Sequence, residues 1–168
     1  MLKQKVLKLM NRYGYLVHEQ KLFHTKYQPR SYFIPLEQLF YKFLHKDFFF
    51  VQIGANDGVR FDPIYHLVTK EKVNGVVLEP LSDLYKELVE NYKNYPGILP
   101  VNKAVHANEK VMTLYRVNRE KDYPEWTKGT ASFKKDHHKL GNIKDADIIE
   151  ERVQCFTWGE LIKEYRID

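Results

Sequence analysis

The 168-residue chain has one cysteine, Cys155. No intrachain disulfide can form, and a reducing, cytoplasmic setting is expected. No apolar run approaches the ~20 residues that a membrane-spanning helix needs. The N-terminal lysines are not followed by an uninterrupted apolar core, which argues against a secretory signal. His137, His138 and Cys155 do not fall at metal-ligand spacing, so no metal is expected. There is no internal repeat and no low-complexity tract. The dinucleotide fingerprint G-x-G-x-x-G is also missing: counting from Gly54, Asn56 and Val59 stand where glycines would be required.

What is present suits one domain with a true core. Hydrophobic residues make up 43% of the chain and aromatics 14%, too many for general disorder. The net charge is +5, and it is unevenly placed. Lys3, Lys5, Lys8, Arg12, Lys21, Lys26 and Arg30 face a single carboxylate, Glu19, within residues 1–30. Such a segment can touch anionic lipid, a phosphorylated glycan or nucleic acid, or it can simply be a solvated helix face. No nucleic-acid-binding module accompanies it.

Apolar periodicity gives the element order. Leu2, Val6, Leu9, Met10 and Tyr13 predict a short amphipathic helix ending near Gly14, and Tyr15–Val17 a short strand. Pro35 opens a helix whose buried face would carry Leu36, Leu39, Phe40, Phe43 and Leu44. Residues 1–46 thus form an N-terminal helical and basic segment packed on a domain spanning 47–168. Phe48–Ile53 is almost continuously apolar, as expected for a parallel strand covered on both faces. Asp62-Pro63 predicts a helix start, carrying Ile64, Tyr65, Leu67 and Val68. Val76–Leu78 is a second buried strand. A helix through Leu81, Leu84, Leu88 and Tyr92 follows and breaks at Pro96-Gly97.

The next strand, Ile98–Val101 continuing to Val105, contains Pro100, which cannot donate to a sheet ladder and therefore belongs at an edge. Val111–Val117 reads as a strand pairing with Val153–Phe156. The ~30 residues between Asn118 and Asp147 form a long loop with weak periodicity, usually a functional or disordered feature. Thr157 and Glu160 have capping-box spacing and open the last helix. The fold class is therefore α/β. With Asp168 as the final residue, Phe48–Ile53 has a recognisable parallel neighbour on one side only.

Chemistry concentrates where the first strand meets its turn. Gly54 and Gly58 fit G-x-x-x-G, and backbone amides there can approach a ligand without a Cβ in the way. The helix that follows offers unsatisfied N–H groups and the positive end of a dipole. Glu79 lies 21 residues after Gly58, at the C-terminal end of the second strand. An acid at that point can accept hydrogen bonds from both ribose hydroxyls of a nucleoside cofactor. It can equally cap the next helix or face water.

The ordered motifs VQIGANDG, VVLEP and NKAV resemble the FkbM family of S-adenosylmethionine (SAM) dependent methyltransferases, from about Phe48 to the end of the chain. The resemblance implies a Rossmann-like class I methyltransferase fold with a doubly wound, mostly parallel sheet, and O-methylation of a sugar, glycan or other hydroxylated metabolite. It assigns Gly54, Ala55, Asn56 and Gly58 to the cofactor loop, Glu79 to the ribose, and Pro80 and Leu81 to the adenine side. Asn102, Lys103, Ala104 and Val105 match the later motif near adenine and sulfonium. Two departures stand out. Gln52 occupies the position of an acid in many methyltransferases, leaving Asp57 as the alternative counter-charge for the methionine ammonium. The family's fourth strand, with its acidic end, would lie beyond Asp168, so the C-terminal part of the fold is expected to be missing.

On the acceptor side, His106, Asp136, His137 and His138 are the candidates for a general base; each can also be a solvated loop residue. Tyr123, Trp126 and Phe133 can stack on a sugar ring or pin the loop. Partners would be a small molecule or glycan, with homo-oligomerisation open. The competing readings are a non-catalytic or incomplete domain and a nicotinamide-dependent oxidoreductase, the latter disfavoured by the failed fingerprint.

Overall fold

The computed structural model describes residues 36–167. The expected helix before Gly14, the strand at Tyr15–Val17, the basic segment 1–30 and Pro35 lie outside the described residues. The chain is mixed α/β with two sheets. The first is parallel, order β1-β2-β3, from β1 (Phe49–Ile53), β2 (Asn74–Leu78) and β3 (Ile98–Val101). The second is mixed, order β4-β7-β5-β6, from β4 (Ala104–Val105), β5 (Val111–Val117), β6 (Ala131–Ser132) and β7 (Ile148–Phe156). The helices are α1 (Leu36–Phe43), α2 (Tyr65–Glu71), α3 (Ser82–Tyr92), α4 (Glu125–Lys128) and α5 (Trp158–Tyr165).

The parallel sheet is built around β2. Val76, Val77 and Leu78 are fully buried, and the pleat sends alternate side chains to opposite faces. Val77 joins Phe50, Leu67, Val68, Leu88 and Tyr92 on the face covered by α1, α2 and α3. Val76 and Leu78 meet Phe156 and Leu161 on the other face, under α5. A third cluster of Leu81, Leu84, Ala104, Leu114, Val153 and Cys155 seats the start of α3 against the second sheet. Gly75 lets β2 come close to β1, because a Cβ there would run into the Phe50 ring and backbone.

Several expectations hold. Pro100 lies in the edge strand β3, opposite Val77. The β5–β7 pairing is antiparallel from Val111↔Gln154 to Val117↔Ile148. Thr157 and Glu160 form both hydrogen bonds of a capping box at α5. Other expectations need correction. The face of α1 is rotated: Gln38 and Phe40 are buried, whereas Leu36 and Phe43 are exposed. β1 is covered on both faces, though incompletely: Phe50 is buried on one, Phe49 and Val51 pack half-buried on the other, and Ile53 is 53% exposed. Its far edge pairs with no strand among the described residues, so less packs around it.

α2 begins at Tyr65 with Ile64, not Asp62, at its N-cap, and Asp62 holds the turn before it. Asp62 Oδ1 accepts from the amides of Ile64 (2.7 Å) and Tyr65 (3.1 Å). The run from Ile98 to Val105 is not one strand. It breaks at Asn102, whose side-chain amide donates to the carbonyls of Glu79 and Pro80, and Ala104–Val105 crosses to β7. The segment after β5 is not structureless, since it holds α4, β6 and two short 3-10 turns at His137–Gly141 and Asp145–Asp147.

Candidate functional site

The turn after β1 is tied to the end of β2. The amides of Gly54 and Ala55 both donate to the Leu78 carbonyl at 2.9 Å. Gly54 has φ +74°, and no atom lies within 4 Å of the position a Cβ would take. Gly58 also has positive φ, +78°, but for a packing reason: a Cβ would sit 2.6 Å from both Leu88 Cδ1 and Tyr92 Cε2. The two glycines of G-x-x-x-G therefore do different work. Gly54 opens outward, and Gly58 lets α3 close on the turn.

Glu79 follows β2 and is 5% exposed. Its Oε2 accepts from the Asn56 amide at 2.8 Å, and its Oε1 from the Leu81 amide at 3.0 Å. Burial pushes the carboxyl above its ordinary value, and the two amide bonds pull it back without cancelling the effect. Asn56 adopts a left-handed conformation, φ 56°, to aim its amide there, and its Oδ1 accepts from the Asp57 amide.

A cavity of about 260 Å³ opens beside this carboxylate. Gly54, Glu79, Pro80, Leu81, Lys103, Ala104 and Val105 line it, so these nominated residues, distant in sequence, converge. Leu114 of β5, Gly129 after α4, Ala131 of β6 and Phe133 just beyond it complete the lining. The Lys103 ammonium lies 3.6 Å from the Phe156 ring centroid, a cation–π contact.

Other nominated residues are not in the lining. Ala55 is buried beneath the turn. Asn102 bridges Glu79 and Pro80 through their carbonyls. Asp57 does not offer its carboxylate to the cavity. Its Oδ1 accepts from the amides of Val59 and Arg60, and its Oδ2 pairs with Arg60 Nε at 2.5 Å. Asp57 burial raises its pKa, but these bonds outweigh burial and hold it below the ordinary value. Asp57 and Asp62 between them occupy the amides of Val59, Arg60, Ile64 and Tyr65. The expected free helix N-terminus facing a ligand is thus not observed. Gln52 donates its amide to Asp62 Oδ2 at 3.0 Å, and its Oε1 is buried with no hydrogen-bond partner among the described residues.

A second cavity, about 490 Å³, lies next to the first and shares Gly129 and Ala131 with it. Tyr115, Trp126, Ser132, His137, His138 and Ile143 contribute to its wall. Of the four proposed bases, His137 and His138 are here. Both ring nitrogens of His138 are engaged, with the Lys135 carbonyl at 2.8 Å and Asp145 Oδ1 at 2.6 Å. His137 has no side-chain hydrogen bond among the described residues. His106 and Asp136 line neither cavity. His106 Nδ1 accepts from the amides of Asn108 and Glu109, and its ring meets Phe133 edge-on. Asp136 is an exposed partner of Lys139 at 2.7 Å.

The loop aromatics separate into distinct places. Trp126 lines the second cavity, Phe133 the first, and Tyr123 is bonded to Asp147. Sequence reasoning did not assign Phe133, Leu114, Gly129 or Ala131 to the first cavity. Gly129 carried the one local signal, a glycine within a long loop: a side chain there would strike the side-chain amide of Asn56. No group of three or more metal-ligating side chains occurs among the described residues. No helix among them is long and apolar enough to cross a membrane. No protein-family model, curated protein or solved structure matches the chain.

Proposed function

We propose that the chain is a Rossmann-like, SAM-dependent methyltransferase domain that acts on a hydroxyl group, with a sugar, glycan or small metabolite as acceptor. One observation carries the reading: a buried carboxylate, Glu79, and an open glycine, Gly54, face one cavity at the C-terminal ends of parallel strands. Ligands of open α/β sheets bind at that end.

The residues fit the cofactor in three respects. Glu79 keeps lone pairs on both oxygens after its two amide bonds, enough to accept from a ribose diol. Leu81 and Phe133 offer apolar surface to a base. Gln52 Oε1, near the end of β1 and outside the cavity lining, is an orphaned acceptor of a kind suited to an ammonium. The first cavity is somewhat below the ~300 Å³ at which drug-sized ligand sites begin, which suits the adenosine half of the cofactor.

When bound, SAM supplies a methyl group on a sulfonium sulfur. Glu79 would hold its ribose and Leu81 and Phe133 its adenine base, and the proton of the acceptor hydroxyl would pass to a base or to water as the methyl group is transferred. This chain's contribution would be alignment of the two partners in adjoining cavities, a large part of the rate in such displacements.

Glu79 also has a structural use, fastening two loops, and that favours a second reading as a non-catalytic domain. Calorimetric titration of the full chain with SAM and S-adenosylhomocysteine separates them. Micromolar binding that is lost in Glu79→Ala supports the methyltransferase reading. No binding by folded protein overturns it, and binding of NADH in its place would favour an oxidoreductase.

A further inference from the structure

We infer that the second cavity selects an uncharged, ring-containing ligand and turns away carboxylated, phosphorylated and cationic ones. The inference rests on the methyltransferase reading only where it calls that ligand the methyl acceptor.

The surrounding chain is rich in charge. Residues 134–147 include Lys134, Lys135, Asp136, Lys139, Lys144, Asp145 and Asp147. None of these seven lines the cavity. Many are matched by nearby side chains instead. Lys139 pairs with Asp136 and Asp145, Lys121 with Asp147, and Asp145 also holds His138. Lys135 comes within 6.0 Å of the Tyr115 ring centroid, but its charge is shared with Glu150 at 3.9 Å.

The wall is therefore aromatic, aliphatic and polar, and among the described residues no Asp, Glu, Lys or Arg belongs to it. A charged ligand entering it would shed water and meet no carboxylate, ammonium or guanidinium of the described residues in the lining, which is unfavourable. A hydroxylated ring meets a different surface. Trp126 is 58% exposed and, with Tyr115, offers ring faces for stacking. The Tyr115 hydroxyl, Ser132 and the unbonded His137 side chain can exchange hydrogen bonds with ligand hydroxyls.

The chain has two tryptophans, so Trp158→Phe leaves Trp126 as the sole tryptophan reporter. Three probes share one ring and aglycone and differ in charge at one substituent each: 4-nitrophenyl glucoside (neutral), the matching glucuronide (carboxylate at C6) and the matching 2-amino-2-deoxyglucoside (ammonium at C2). Titrated into Trp158→Phe protein, the glucoside should quench Trp126 saturably, and both charged analogues should bind at least about tenfold more weakly. His137→Asp should reverse the order in favour of the cationic probe. Equal or tighter binding of either charged probe to the unreversed protein overturns the inference. So does non-saturable quenching, or an order that His137→Asp leaves unchanged. S-adenosylhomocysteine binding to the same protein is read separately by calorimetry. Its absence would defeat the methyltransferase reading while leaving the charge selection standing.

Discussion

The Asn56 amide donates to Glu79 Oε2 across 23 residues of sequence, at 2.8 Å, and fastens the turn after β1 to the end of β2. With the Leu81 amide on Oε1, one buried carboxylate terminates two loops. Glu79→Gln replaces one acceptor oxygen by a donor, so one of these buried amides loses its partner. A cost of about 1–3 kcal/mol in unfolding free energy is expected, read as a lower urea midpoint with an unchanged slope. S-adenosylhomocysteine affinity should fall about tenfold or more, since a charged acceptor contributes more to a hydroxyl than a neutral amide. Unchanged stability would mean that the bridge is energetically idle.

Cofactor affinity should depend on pH through the same group. Burial raises the folded-state pKa of Glu79 above 4.5. For folding, a raised carboxyl contributes stability that is full below the unfolded pKa and is lost as pH rises through the folded one. For the cofactor the sign is opposite, because a ribose diol needs the ionised acceptor. Affinity should therefore decline on acidification through a midpoint above 4.5, and Glu79→Gln should flatten the decline. Calorimetric titrations from neutral to mildly acidic pH check this. Parallel profiles for the two proteins would rule Glu79 out as the titrating group.

Gly54 and Gly58 allow the roles of the turn to be told apart. Both have positive φ, so alanine carries a backbone cost of about 1–2 kcal/mol at either. At Gly54 that should be the whole effect on stability, since the Cβ meets nothing, while ligand approach is hindered. At Gly58 the Cβ also collides with Leu88 and Tyr92 in the core, adding about 1–3 kcal/mol of overpacking. Gly54→Ala should thus fold nearly normally and bind S-adenosylhomocysteine poorly. Gly58→Ala should lose more stability. Thermal unfolding paired with calorimetry reads both, and the reverse ranking would contradict the assignment.

The parallel core and its order were legible because β2 and α3 carry unbroken apolar patterns, and because Pro100 and the Thr157–Glu160 spacing act through local backbone chemistry. Glu79 and Gly54 were legible for the same reason: each stands at a strand end. What escaped depended on tertiary placement. The rotation of α1 follows from which neighbours reach it, and its own periodicity does not reveal them. Asp57 resembled a free carboxylate until Arg60 folded back on it. Phe133 and Gly129 sit in a segment whose short elements are set by individual hydrogen bonds, such as the Thr127 hydroxyl on the Pro124 carbonyl, and such bonds leave no periodic trace. The convergence of β6 on the first cavity is a consequence of its pairing with β5.

Arg116 of β5 ties α3 to the second sheet, and it gives the last prediction. Its side chain is 3% exposed. Its guanidinium grips Asp83 of α3 with two bonds, 2.6 and 3.0 Å, and reaches Glu151 of β7 at 3.2 Å. Arg119 adds a bond to Asp83 and another to Glu87, each 2.9 Å. Burial of Asp83 works against its ionisation, but the two arginines outweigh it and hold the carboxyl well below its ordinary 3.8. The sign is that of a depressed acid: its stabilisation is complete above the unfolded pKa and is lost as pH falls through the folded one. Asp83 is 44% exposed, so solvent screens the pair, and the cost of Asp83→Asn at neutral pH should be about 1–2 kcal/mol rather than the ~3–5 of a fully buried pair. Below pH 3.8 the wild type should lose this contribution and Asp83→Asn should not, so their urea-unfolding free energies should converge in acid. Curves that stay parallel down to the acid transition would show that Asp83 titrates normally and that Arg116 is balanced by Glu151 instead.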